Sequence, residues 1–285
     1  MPFRCGGHVV TVADMAVAFT VGFLGAGKMA TALARGFLRA GLVGSDKLGA
    51  SDPSPAARQT FQQETGVAVG TDSLAVVSAS NLVILAVKPS QVLSLLHGVR
   101  ERVTDRHLVI SIVAGMPLAK LEGALPLGTR VIRVMPNTPV LVGAGATAFA
   151  VGGTATREDS ELTRQLFGSV GLAFEVAEPL LDAVTGVSGS GPAYACLIIE
   201  ALSDGAVAAG LPRDMATQLA AQTLLGTARL VLETGQHPGS LKDMVTSPGG
   251  TTIEALHELE KAGVRGAFMS AVRAAAAKAR QLGQQ

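Results

Sequence analysis

The sequence predicts an α/β protein, a doubly wound sheet followed by an all-helical C-terminal domain. Three observations predict it. Over 19–176, short apolar runs alternate with amphipathic stretches, the rhythm of strand and helix in a doubly wound sheet. A glycine-rich turn joins the first apolar run to the first amphipathic stretch. Over 179–285 strand signals stop, and apolar residues recur at helical spacing. The boundary falls near residue 178, giving domains over 18–178 and 179–285 behind a leading segment 1–17.

Taken in order, 19–24 is an apolar run that stops at Gly25, and 29–39 carries Ala, Leu and Phe at helical spacing. A short strand over 47–50 precedes Pro55, whose fixed φ suits the start of a helix over 55–64. A short strand at 67–69 and a helical turn at 74–78 follow. The run 82–87 reads as a buried strand, then a helix through Val92, Leu95 and Leu96. Strand 108–113, helix 118–124 and strand 131–135 repeat the unit. Strand 146–151, helix 157–167 and strand 173–176 complete the sheet. Beyond it, 194–209, 213–233, 253–262 and 265–282 read as helices, separated by Gly and Pro at 210–212, 235–239, 248–250 and 263.

Composition narrows the function. Lys plus Arg number 23 and Asp plus Glu 22, so the net charge of +1 leaves no cationic footprint for nucleic acid. Aromatics are 4%, with no Trp, which argues against a base-stacking surface. A chain 48% hydrophobic and 16% charged is not disordered. Its longest apolar runs, 82–87, 108–113 and 140–150, fall short of the ~20 residues of a membrane span. Two distant cysteines, Cys5 and Cys196, make neither a disulfide framework nor a zinc cluster and point to a reducing cytoplasm. The histidines, His8, His97, His107, His237 and His257, lack metal-ligand spacing, so no metal is expected. Residues 1–17 are not expected to be a secretory signal, because no clear apolar stretch with a cleavage site follows Arg4. They are expected to be a frayed tail or a start assigned too early, since Met15 precedes the first strand, with a short transit peptide as the alternative.

The chemistry-bearing motifs sit at strand ends and helix starts. Gly25-Ala26-Gly27-Lys28-Met29-Ala30 is the GxGxxA form of the dinucleotide fingerprint. Gly25 permits the turn, Gly27 lets backbone approach a pyrophosphate, and Ala30 allows close helix-to-strand packing. The helix N-terminus attracts the phosphates. Gly22 to Lys28 also has P-loop spacing, but Met29 stands where a magnesium-binding Ser or Thr is needed. At the end of the second strand, Asp52 can accept from ribose hydroxyls and favour NAD. Ser51, Ser54 and Arg58 can instead hold a 2′-phosphate, so both preferences stay open. Ala86-Val87-Lys88-Pro89 ends another strand on the ligand side, and Pro136 and Pro139 bracket Asn137 and Thr138 in a stiff polar loop. Ser188-Gly-Ser-Gly-Pro192 leads into a helix, and so does Ser247-Pro-Gly249-Gly250-Thr251-Thr252. Thr251 and Glu254 have capping-box spacing. The second helix start can also cradle a small carboxylate, with Ser247 and Thr252 supplying hydroxyls.

These stretches resemble the pyrroline-5-carboxylate reductases over about 20–282. The carrying residues are 21–30, 86–89, 131–139, 183–194 and 243–256, with the Ser-Pro-Gly-Gly-Thr-Thr stretch the most specific. The resemblance implies a Rossmann-type N-terminal domain, a helical domain that interlocks with a second copy, and dimers that assemble further. It implies reduction of pyrroline-5-carboxylate to proline with NADPH or NADH. By position it implies cofactor contacts at Phe23, Leu24, Gly25, Ala26, Gly27, Lys28, Met29, Ala30, Ser51, Asp52, Ala86, Val87, Lys88 and Pro89. Asn137, which its stiff loop can aim into a cleft, is a further cofactor-binding candidate. Substrate contacts are implied at Ser247, Gly249, Gly250, Thr251 and Thr252, with Thr252 the catalytic candidate. Two positions depart from the family's pattern: Met244, where some relatives carry a polar residue, and Asp52, where some have Ser. A hydroxyacid dehydrogenase would need an acid/base Lys on the helix over 194–209, and none is there. A cofactor-binding sensor without turnover is the rival of a different class.

Overall fold

The computed structural model describes residues 19–284. The expectations for 1–17, including His8 and Cys5, lie outside them. Two compact units emerge among the described residues: one runs to Gly189 and takes in the chain from Ala275, and the other is Ser190–Ala274.

The first unit is built on an eight-stranded sheet of β1 (Val21–Leu24), β2 (Leu48–Ser51), β3 (Val69–Gly70), β4 (Leu82–Leu85), β5 (Leu108–Ser111), β6 (Arg130–Met135), β7 (Gly145–Val151) and β8 (Gly171–Glu175). Its order is β3-β2-β1-β4-β5-β6-β7-β8. Only β6 and β7 pair antiparallel. The chain winds outward from β1 to β3, then crosses to β4 on the other side of β1. This reversal opens a crevice at the carboxyl ends of β1, β2 and β4, where α/β sheets bind ligands. Strands β1, β4 and β5 are buried throughout, as expected of a parallel sheet covered on both faces.

The connecting helices are α1 (Lys28–Arg39), α2 (Pro55–Thr65), α3 (Ser73–Ala79), α4 (Pro89–Val99), α5 (Leu118–Ala124) and α6 (Arg157–Gly168). Ser54 caps α2, Asp72 caps α3, and Thr156 with Asp159 forms a capping box on α6. On one sheet face Phe23 meets Phe37 and Phe61, with ring centroids 6.3 and 6.0 Å apart. Leu24, Leu85, Leu96 and Leu121 fill the other. A short helix, α7 (Leu181–Val184), runs into a π-helical turn at Thr185–Gly189. Gly189 lies against the Met135 side chain, whose Cε would stand 2.6 Å from a Cβ there. The Gly- and Ser-rich pattern of this stretch carries no helical signal in the sequence.

The second unit contains α8 (Gly191–Ala208), α9 (Arg213–Thr234), α10 (Pro238–Met244), α11 (Thr251–Lys261) and the start of α12 (Val264–Gln284). Helix α10 lies where the sequence reads as a break. His237 accepts the Gly239 N–H through its Nδ1, and Pro238 opens the helix. Little of this unit is buried: Ser203, Ala216, Ala220 and Leu241. No helix among the described residues is long and apolar enough to cross a membrane.

Candidate functional site

The glycine-rich turn is fixed by backbone at three strand ends. The Gly25 N–H donates to the Ser51 carbonyl at 2.8 Å, and the Ala86 N–H donates to the Leu24 carbonyl at 2.8 Å. Gly25 has φ +103°, and a Cβ there would stand 2.5 Å from the Ala86 carbonyl oxygen, so only glycine fits. The chain then turns extended at Gly27 and enters α1. No side chain caps α1, and its first turn holds no acid. The first-turn N–H groups of such a helix have no partner inside it, and the helix dipole adds partial positive charge. Nothing stands within 4 Å of where a Gly27 Cβ would be, so an incoming group has room there. Ala30 is fully buried beneath the turn, while Lys28 is exposed and Met29 half-buried. Phe23 and Leu24 are core residues of β1 whose contribution to the crevice is backbone. The donors, the space and the dipole fit a dinucleotide pyrophosphate.

The other sequence-predicted residues of this unit converge on the same sheet ends. Ala86 and Val87 are half-buried beyond β4, Lys88 is exposed at the start of α4, and Pro89 opens that helix. Ser51 is buried and shares a hydrogen bond with the Ser73 hydroxyl at 3.0 Å. Asp52 Oδ2 accepts the Ala26 N–H at 2.8 Å, tying the glycine-rich turn to the end of β2. Asn137 is buried, and its side chain closes two loops. Its Oδ1 accepts the Ala146 N–H at 2.8 Å, and its Nδ2 donates to the Ser188 carbonyl at 3.1 Å. These partnerships join separate segments of the chain, and no local pattern pairs Ser51 with Ser73 or Asn137 with Ser188.

In the second unit, Ser247, Gly249, Gly250, Thr251 and Thr252 gather at the start of α11. The Gly250 N–H donates to the Ser247 carbonyl at 3.0 Å, closing a turn in which Gly249 takes φ +62°. The capping box expected of Thr251 and Glu254 does not form. Gly250 is the cap residue, Thr251 is already helical, and no side chain caps the helix. A residue with helical backbone cannot turn its hydroxyl back to the N–H groups of its own first turn as a cap does. The helix start therefore keeps its N–H groups open. Thr251 and Ser247 are exposed and Thr252 is half-buried, and none of their hydroxyls has a partner among the described residues. Open amides, three hydroxyls and a helix dipole suit a small carboxylate.

Comparisons with known proteins agree with this chemistry. Residues 178–282 match a family model described as pyrroline-5-carboxylate reductase dimerisation, and residues 20–115 match one described as NADP oxidoreductase, coenzyme F420-dependent. The solved structure of a pyrroline-5-carboxylate reductase from Coxiella burnetii is similar, with a TM-score of 0.87, 34% identity, and coverage of 94% of this chain and 99% of that one. So is a Plasmodium falciparum pyrroline carboxylate reductase with NADP bound, at TM-score 0.85 and 32% identity, over 93% of this chain and 98% of that one. The pyrroline-5-carboxylate reductase of Methanosarcina acetivorans is 50% identical over 264 residues, 93% of this chain and 98% of the relative. At that identity over that span, the chain belongs to the pyrroline-5-carboxylate reductase family.

Proposed function

We propose that this protein reduces 1-pyrroline-5-carboxylate to proline with NAD(P)H, the last step of proline synthesis. The observation that carries this reading is the 50% identity to a pyrroline-5-carboxylate reductase across 93% of the chain. The bound dinucleotide supplies the hydride. The chain's own work is to hold and orient the two rings and to support the protonated state of the ring nitrogen. The turn from Gly25 to Ala30 and the open start of α1 hold the diphosphate, with Ala86 to Pro89 alongside. The amides at the start of α11, with Ser247 and Thr251, hold the substrate carboxylate. The Thr252 hydroxyl hydrogen-bonds the ring nitrogen and supports its protonated state. A threonine hydroxyl is a weak acid in water, so its part is positioning and relay rather than proton donation from its own pool. Fixing two rings at near-attack distance supplies most of the acceleration.

On this reading residues 18–178 form the cofactor domain, and 179–285 form the domain of substrate binding and dimerisation. Exposed leucines and methionines on the second unit support a homodimer through the helices, with further assembly of dimers. The low cysteine count supports a cytoplasmic setting.

The test follows NAD(P)H absorbance on addition of racemic pyrroline-5-carboxylate. Turnover is expected, and tight cofactor binding without turnover would move the protein to the sensor class. Thr252→Ala is expected to lower kcat by roughly 100-fold, with the cofactor Kd unchanged. Unaltered kcat in that variant removes Thr252 from the mechanism.

A further inference from the structure

The acid at the end of β2 and the arginine a turn of helix later make opposite demands on the cofactor, and the structure gives them different work. Asp52 spends both carboxylate oxygens inside the protein. Its Oδ2 accepts the Ala26 N–H of the glycine-rich turn at 2.8 Å, and its Oδ1 accepts the Ser54 N–H of its own turn at 2.8 Å. A carboxylate that grips a ribose diol aims both oxygens at the sugar. Here one oxygen is drawn to the turn and the other folds back. Ser51 is likewise withdrawn, buried against the Ser73 hydroxyl.

Arg58 is arranged the other way. Its Nη1 donates to the Asp52 carbonyl at 2.8 Å and the Pro53 carbonyl at 2.9 Å, which pins the half-buried guanidinium to the same turn. A guanidinium carries five N–H donors, and these bonds occupy only one nitrogen. Arg35, Arg130 and Arg133 of the same unit are paired with Glu64, Asp159 and Glu178. Arg58, like Arg106, has no carboxylate partner among the described residues and bonds only neutral carbonyls; what sets it apart is its place on the turn that ends β2. An oriented fork with uncompensated charge is matched to phosphate rather than to a sugar hydroxyl. Ser54 stands on the same turn, and its hydroxyl, which accepts the Ala57 N–H at 3.4 Å, keeps its own proton to donate.

We propose that Arg58 is the specificity-determining residue of the cofactor unit, selecting the 2′-phosphorylated dinucleotide, and that Asp52 is a positioning residue that braces the glycine-rich turn. This rests on the dinucleotide reading given above. The protein accordingly prefers NADPH to NADH. Removing the fork costs the phosphate its charged hydrogen bonds and leaves the rest of the cofactor's contacts in place. Removing the brace loosens the turn that both cofactors use.

Calorimetry of the full-length protein with adenosine 2′,5′-bisphosphate and with 5′-AMP separates the two roles. Wild type is expected to bind the bisphosphate about 10- to 100-fold more tightly than 5′-AMP. Arg58→Ala is expected to abolish that advantage with 5′-AMP affinity unchanged, and Arg58→Lys to restore part of it. Asp52→Ala is expected to raise KM for NADPH and NADH by a common factor at constant kcat, with Asp52→Asn intermediate because it keeps one acceptor. Equal losses for both adenosine ligands in the Arg58 variants, or a wild type indifferent to the 2′-phosphate, overturn the assignment of Arg58. A loss in Asp52→Ala confined to 5′-AMP and NADH overturns the brace. Failure of both ligands and both cofactors to bind the folded wild type instead overturns the dinucleotide reading itself.

Discussion

The two compact units solve the problem of burial differently. The sheet unit encloses its own core: Phe23, Leu33, Phe37, Ile84 and Phe167 have no exposed surface. The helical unit buries little, and leaves Leu197, Leu232 and Met269 each more than half exposed, at 62%, 68% and 62%. Both contain regular, well-formed elements. What separates them is where the apolar surface goes. A parallel sheet is covered on both faces by its own crossover helices. A few helices of small residues present more apolar surface than they can hide in each other, and self-association is the usual remedy. The sheet unit also leaves Val142, Phe174 and Val187 exposed, but the unit that matches a dimerisation family buries only four residues and exposes most of its large apolar side chains.

Equal truncations in the two units are expected to have very different consequences. Leu33→Ala in the sheet unit is expected to cost about 2–5 kcal/mol, because it opens a cavity in a closed core. That loss should be the same at every protein concentration. Leu232→Ala in the helical unit is expected to cost within about 0.5 kcal/mol in the dissociated chain, as an exposed substitution does. Its effect should instead appear as a weaker dimer and an unfolding midpoint that falls with dilution. Urea titrations at two concentrations, with light scattering, read both. A concentration-independent loss at Leu232 as large as that at Leu33 would mean that the helical unit is closed on itself.

A smaller effect sharpens the account of how the sheet unit holds its polar groups. Arg133 on β6 is buried, and its Nη1 donates to Glu178 Oε1 at 2.9 Å. The same oxygen accepts the Leu118 N–H at the start of α5, at 2.7 Å. Glu178→Ala strands the arginine and the amide together. The expected cost is about 2 kcal/mol, below the figure for a fully buried pair because Glu178 keeps some contact with water. Glu178→Gln retains an acceptor and is expected to recover part of it, with little dependence on salt. Full recovery in high salt would mean that this pair behaves as a surface pair.

Much of this is legible in the sequence, and the misses have physical causes. Strand and helix order is readable because β1, β4 and β5 are buried, largely apolar runs, and the fingerprint at Gly25 to Ala30 marks its own turn. Helix α10 is missed because Gly235 precedes it and Gly239 falls in its first turn, although Pro238 at its first position is a start signal. The capping box at Thr251 fails because spacing does not reveal which residue leaves the helix first. The work of Asp52 is hidden for another reason: its partner, the Ala26 amide, is brought to it only when β1 and β2 pair. Residue type shows what Asp52 can do, and tertiary pairing selects which of those things it does.

The smallest effect is expected at the turn between α11 and α12, and it completes the contrast. Arg265 donates to Glu260 across Gly263, which takes φ +70°. The hydrogen bond from Arg265, and then its charge, hold the Glu260 carboxyl below the usual carboxylate range. A carboxyl with a lowered folded pKa contributes stability that is complete above its unfolded pKa and is lost as pH falls through the folded value. The pair is therefore at full strength at neutral pH and fades in acid. Both groups lie in water, so salt and side-chain entropy offset most of what the pair contributes. Glu260→Gln is expected to leave the neutral-pH unfolding midpoint nearly unchanged, with any difference vanishing below the carboxylate range and in high salt. A clear, salt-resistant loss at neutral pH would show that this turn is covered in the assembled protein, and would extend the partner-facing surface of the helical unit to the junction of its last two helices.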